Sequence, residues 1–155
     1  MKFTTTSAEL AAAVDRVAKF VPGRPNPPIL GGVKFDVVAD TLTLSAYDFE
    51  IGAKASVGVE LATAGAALVS GRALAAVVRV LPKKPVTVET VGHELTIKAG
   101  SAAVTLPLMR VEDYPDLPVA GTDFVIEFDA QQFRSAIAAV SWAVARDKEV
   151  KRPMM

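Results

Sequence analysis

The chain has no cysteine and one histidine, His93. Disulfides and cysteine-ligated metals are therefore excluded, and the absence suits a reducing cytosol. No apolar run reaches the roughly 18 residues that cross a bilayer. After Lys2 the N-terminus turns polar at Thr4, Thr5 and Thr6, so it does not read as a secretory signal. Neither G-x-x-x-x-G-K-[ST] nor G-x-G-x-x-G occurs, which removes two phosphate-cradling loops. The carboxylate pairs Asp48/Glu50 and Glu112/Asp113 have no base or phosphate loop beside them and read as solvated turns. The expectation is a cytoplasmic, non-catalytic protein with no membrane partner, no metal and no cofactor.

What is present is a core and a repeat. Of 155 residues, 51% are apolar, ample for one domain and a fraction of another. Leu10, Val14 and Val17 recur at a constant offset as Phe133, Ile137 and Val140, and again as Leu74, Val78 and Leu81. One helical unit thus occurs three times, and repetition of this kind sets the architecture.

In chain order, Lys2 to Thr6 reads as a strand, and Ser7 as the N-cap of a helix running to about Phe20, which Pro22-Gly23 stops. A proline-stiffened loop follows, presenting Arg24. Apolar and polar residues then alternate through Val33–Val37, Leu42–Ala46 and Ile51–Leu61, the period of strands with one wet face. The pattern restarts with a strand at Ala66–Val69, an N-cap at Ser70, a helix over Arg72–Leu81, and strands at Val86–Val91, Leu95–Ala99 and Ala102–Leu108. Residues 1–61 and 66–108 are therefore two β-α-β-β-β units. The expected class is α+β, with both helices on one face of antiparallel sheets. Residues 109–121 form a turn-rich linker, and a third copy begins with a strand at Phe124, Ile126 and Phe128 and a helix from Asp129 or Ala130. The apolar stripe of that helix has no sheet of its own to cover it. The domain reading is 1–120 followed by 121–155 as a truncated second domain, so the chain reads as part of a longer protein. Trp142, on that third helix, reads as core, and His93 as a solvated turn residue.

Formal net charge is zero, from 17 basic and 17 acidic residues. The three helices with their following loops nevertheless hold twelve basic residues and four acidic ones. Helices sharing a face would give a positive surface opposed to a negative one. From charge alone, ordinary solvation of exposed helices explains the same count equally well.

Several segments in order carry a family resemblance: MKFTTT with its helix, GRPNPPIL at 23–30, LTLSAYDFEIG at 42–52, VSGRALAAVVRVLP at 69–82, LMRVEDYPDLP at 108–118 and ARDKEVKRPMM at 145–155. With these, the chain resembles the bacterial sliding clamp, the beta subunit of DNA polymerase III, over the first domain and the opening of the second. The VSGR and SAYDFE variants look most like actinobacterial clamps. The resemblance implies a clamp fold and a head-to-tail homodimeric ring around double-stranded DNA. It implies a processivity factor for replication, whose partners are the DNA polymerase III catalytic subunit and the clamp loader. The peptide pocket used by those partners would lie in regions this chain lacks. The small residues Ala12, Ala75, Ala76, Ala138 and Ser141 on the outward helix faces suit a lining that slides, because no long side chain reads base edges there.

By the same resemblance, Arg24, Arg72, Arg79, Arg146 and Lys148 are candidate DNA contacts, and Val104 and Leu106 candidate dimer-interface residues. Each has a plainer reading: Arg24 as a helix-end cap, Arg72 and Arg79 as solvated surface, Val104 and Leu106 as strand core. The alternatives at the level of function are a plain DNA-binding module and a clamp paralogue that protects against an antibiotic.

Overall fold

The computed structural model describes residues 1–118 and 126–144. The chain divides into two compact units, Met1–Pro118 and a second beginning at Val119. The first unit opens with strand β1 (Lys2–Thr6) and helix α1 (Ser7–Ala18), and a short 3-10 turn (Pro28–Gly31) leads into β2 (Gly32–Val38) and β3 (Thr41–Tyr47). Then come β4 (Gly52–Gly58), β5 (Glu60–Thr63), β6 (Gly65–Ser70) and α2 (Gly71–Val80), and finally β7 (Pro85–Val91), β8 (Glu94–Ala99) and β9 (Ala102–Met109). In the second unit the described element is α3 (Ala130–Ser141).

The strands form a nine-stranded sheet ordered β4-β3-β2-β6-β9-β8-β7-β1-β5, with antiparallel neighbours throughout. Inward residues of the strands share one core with the helices. Phe3, Phe35, Leu42, Leu44, Leu95 and Ile97 are fully buried beside Leu10, Val14, Val17 and Leu74. The expected α+β architecture is borne out. The two helices run antiparallel: Ala18 and Lys19 lie beside Gly71 and Arg72 at one end, and Ala8 and Ala11 beside Val78 and Leu81 at the other.

Close approach at the first of these ends requires a glycine. A Cβ on Gly71 would sit 2.8 Å from a methyl of Val21 and 2.9 Å from one of Val33, inside van der Waals contact with two branched side chains.

Three local expectations need correction. The N-cap of α1 is Thr6, one residue before the expected Ser7. Its Oγ1 accepts the Glu9 N–H at 3.2 Å and donates to the Glu9 carboxylate at 2.7 Å, a capping box that satisfies donors left open by the first turn. Ser7 is already helical and buried. Secondly, the single strand expected over 51–61 is two. At Val59 the chain leaves β4, which pairs with β3, and enters β5, which pairs with β1. The Val59 N–H, freed from either ladder, donates to the Asp40 carbonyl at 2.9 Å. Alternation of side chains continues through such a handover, so periodicity does not reveal it.

The third correction concerns the second unit. Residues 126–129 form no strand, and Phe124 lies outside the described residues. A lone strand has no partner for its backbone hydrogen bonds. Helix α3 does start where expected, capped by Asp129, whose Oδ1 accepts the N–H groups of Gln131 and Gln132 at 3.0 and 2.8 Å. Its stripe is exposed, however. Phe133, Ile137 and Val140 are half or more exposed, where their counterparts Leu10, Val14 and Val17 are fully buried. Trp142, expected in a core, is 79% exposed. Among the described residues of the second unit no sheet lies under this stripe, and Phe133 meets the ring of Phe128 at a centroid distance of 5.3 Å.

Candidate nucleic-acid interface

The outward surface of the helix pair is the strongest candidate for a binding face. Helix α1 buries Leu10, Ala13, Val14 and Val17, which leaves Asp15 and Lys19 pointing away from the sheet. Helix α2 buries Leu74 and Val78, which leaves Arg72 and Arg79 on the outside, seven residues and two turns apart. Between the helices these side chains converge. Asp15, Lys19, Arg72 and Arg79 line one shallow hollow of 290 Å³ with Ala18, Ala75 and Gly71. A neighbouring hollow of 230 Å³ continues past Arg72 to Gly23, Pro25 and Pro28. Arg24 is exposed in the loop between Gly23 and Pro25, so its loop adjoins Arg72 at one end of the helix pair, while Arg79 lines the same hollow as Arg72 from two turns further along α2. None of the three forms a salt bridge among the described residues. Arg146 and Lys148 lie outside the described residues.

The electrostatics of this face include one acid. The Asp15 carboxylate lies 2.9 Å from the Lys19 ammonium. The hydrogen bond from Lys19 and its charge, with a smaller contribution from Arg79 through space, hold the Asp15 carboxyl below its ordinary value. At the opposite end of the helix pair, Lys83 and Lys84 line a 530 Å³ hollow with Ser7, Ala8 and Ala11. Lys19, Lys83 and Lys84 thus join a surface for which only arginines were singled out from the sequence. The available signal was their membership of the basic helix-plus-loop segments.

The outward helix residues between these charges are small, with Ala12 and Ala76 exposed and Ala75 half-buried. A partner meets a smooth surface carrying cations at its margins. That arrangement neutralises a phosphate backbone without reading base edges.

Strand β9, which carries the candidate interface residues Val104 and Leu106, has an interior place in the strand order, yet most of one side is open. It pairs with β8 from Ala102 to Pro107, and with β6 only at Leu108 and Met109. Opposite β8, residues 102–107 face no other strand among the described residues. Val104 is half-buried. Leu106 is 7% exposed and belongs to the core cluster, because inward alternation along β9 turns it toward the helices. A partner at this edge would meet the Leu106 backbone rather than its side chain.

One carboxylate of each pair is engaged. Asp48 Oδ1 accepts the N–H groups of Glu50 and Ile51 at 3.0 and 2.7 Å, and Asp113 pairs with Arg110 at 3.4 Å. No group of three or more metal-ligating side chains occurs among the described residues. His93 is exposed in the turn between β7 and β8. No described helix is long and apolar enough to cross a membrane.

The stretch after β9 holds the residue that sequence reasoning missed. Tyr114 is buried at 5% exposure. Its hydroxyl accepts the Tyr47 N–H at 2.8 Å and donates to the Gly32 carbonyl at 3.2 Å. The pairing of Lys34 with Ser45 puts Gly32 opposite Tyr47, so the hydroxyl stands in for the next rung between β2 and β3. Asp116 pairs with Lys34 at 3.4 Å, and Leu117 lies over Gly52 at the start of β4. Residues 111–117 are therefore strapped to the first unit rather than free.

Comparison with known proteins agrees with this geometry. Residues 1–118 match the family model of the DNA polymerase III beta subunit, N-terminal domain. The chain is 38% identical over 151 residues to the beta sliding clamp of Streptomyces coelicolor, covering 95% of this chain and 39% of that protein. It is 30% identical over 147 residues to the beta sliding clamp homolog GriR of Streptomyces muensis, again over 95% of this chain and 39% of that one. Among solved structures, the DNA polymerase sliding clamp of Caulobacter crescentus superposes with a TM-score of 0.88 at 25% identity, over 96% of this chain and 41% of that one. The chain thus spans about two-fifths of the length of these relatives. It belongs to the DNA polymerase III beta subunit family, with residues 1–118 matching that family's N-terminal domain.

Proposed function

We propose that this chain supplies the DNA-facing first domain, and the opening of a second, of a sliding clamp. The complete protein encircles duplex DNA as a homodimeric ring and tethers the replicative polymerase in the cytoplasm. It is a non-catalytic accessory subunit, and the clamp loader and the polymerase catalytic subunit are its protein partners. The observation that carries the proposal is the helix pair, whose outward face gathers Lys19, Arg72 and Arg79 beside the loop of Arg24, while the sheet lies on the other side. Basic groups at the margins of a small-residue surface attract phosphates without gripping a sequence, and a closed ring then supplies retention.

Residues from about 121 open the second domain in this reading. The exposed stripe of α3 supports it, since a helix patterned like α1 calls for a sheet like the one over α1. Arg146 and Lys148 take the place of Arg24 in that second domain. The open side of β9, with Val104 near it, is the ring interface, joined through backbone hydrogen bonds along residues 102–107. A specialised clamp paralogue is the second reading, and the higher identity to the Streptomyces coelicolor clamp than to GriR favours the replicative one.

The test is topological. The full-length protein, loaded on nicked circular DNA, is expected to stay bound through a high-salt wash and to leave when the circle is linearised. Equal retention on circular and linear DNA, with strong salt dependence, overturns the ring and leaves a plain DNA binder.

A further inference from the structure

We infer that Asp15 is a built-in brake on adhesion, a carboxylate placed among the cations of the DNA-facing groove to keep phosphate contacts weak enough for sliding. The inference rests on the proposed DNA-facing role of the helix pair.

Asp15 lies one helical turn before Lys19, with their charged groups 2.9 Å apart. Across the hollow, the charge of Arg79 also acts on its carboxylate, and Arg72 lines the same hollow. Three cations would converge here were Asp15 neutral. With Asp15 ionised, the Lys19 ammonium is occupied, and any phosphate entering the hollow meets a like charge.

The fold itself gains little from an acid at this position. Both partners are more than half exposed, and a solvated pair one turn apart adds only slightly to a helix. Aspartate is also a weaker helix former than alanine or glutamate. The carboxylate changes more for a polyanion approaching the groove than for the folded chain. Each cation that engages a phosphate releases bound counterions, so its contribution grows as salt falls. Silencing one of these cations lowers affinity most at low salt, where unspecific adhesion would otherwise be greatest.

The experiment uses this chain and a short linear duplex of mixed sequence, with binding read by fluorescence anisotropy across a salt series. One freed cation is worth about one unit of salt slope, so Asp15→Asn is expected to bind roughly tenfold tighter at about 50 mM salt and roughly threefold tighter at about 200 mM. Asp15→Glu keeps the charge and is expected to stay near the wild type. Arg72→Ala and Arg79→Ala are expected to weaken binding and flatten the salt slope. If the two arginine variants weaken binding while Asp15→Asn is no tighter than wild type at any salt, the brake is refuted and the DNA-facing reading stands. If no variant shifts affinity, both fall. An equal gain in Asp15→Asn and Asp15→Glu also refutes the brake, since the effect would then not follow charge.

Discussion

Replacing Tyr114 with phenylalanine tests the least expected contact in the fold. The change removes one oxygen and keeps the buried ring. It leaves the Tyr47 N–H and the Gly32 carbonyl, bridged by hydroxyl contacts of 2.8 and 3.2 Å, without a partner. The two groups are too far apart to bond directly unless the ends of β2 and β3 move together. An unsatisfied buried group costs about 1–3 kcal/mol, and partial access of water to the half-buried Tyr47 end lowers the sum, so a loss of about 2 kcal/mol is expected. For a cooperative unit of this size that lowers the melting temperature by about 8 °C. Thermal or urea unfolding of Tyr114→Phe measures the loss, and amide exchange at Tyr47 locates it, because that N–H loses its acceptor. Alkaline titration supplies an independent arm. Burial raises the Tyr114 pKa above its ordinary value of 10.0, a nearby Asp48 adds to this, and the hydrogen bond from Tyr47 opposes it. Unfolded Tyr114 therefore ionises first. Stability is unaffected below the ordinary value and falls as pH rises from there through the raised one, and Tyr114→Phe lacks that component. A stability change under about 0.5 kcal/mol, the size of an ordinary surface substitution, with Tyr47 still protected would refute the bridging role.

Other expectations follow from single contacts. Gly71→Ala gains helix propensity but places a Cβ 2.8–2.9 Å from Val21 and Val33, so chemical denaturation should show a net loss of about 1 kcal/mol; a neutral result would mean the helix ends separate freely. Ala39 sits in the left-handed region at φ 49°, and Ala39→Gly should stabilise the unit by up to about 1 kcal/mol in the same assay. Glu89 is held below its ordinary value of 4.5 by hydrogen bonds and charge from Lys98 and Lys2. Its contribution is present above that value and disappears as pH falls through the lowered one, so acid unfolding of Glu89→Gln should be less steep with pH in that window than that of the wild type. Thr6→Ala removes the acceptor for the Glu9 N–H and should cost about 1 kcal/mol of thermal stability.

Much of the fold was legible because its signals are local. Period-two alternation located the strands, and Ser70 and Asp129 announced their helices by the chemistry of their side chains. The Thr6-x-x-Glu9 spacing was equally available, yet Ser7 looked as good a cap, and only the backbone turn at Thr6 distinguishes them. The candidate arginines came from a family resemblance and a charge count. That reasoning found Arg24, Arg72 and Arg79 but passed over Lys19, because nothing in a linear pattern says which turn of α1 faces which turn of α2.

The sequence by itself determined the repeat, the α+β class and the family, since each rests on residue order and periodicity within a short window. Tertiary structure decided what depends on distant segments meeting. It moved the chain from one part of the sheet to another at Val59, turned Leu106 inward, and placed Asp15 across from Arg79. It also turned an apparent linker into a strap by setting the Tyr114 hydroxyl in a rung between Gly32 and Tyr47. The same helical stripe shows the division most plainly. Leu10, Val14 and Val17 are core because a sheet lies over them, and Phe133, Ile137 and Val140 are exposed without one. A pattern states which face can be buried, and packing alone decides whether it is.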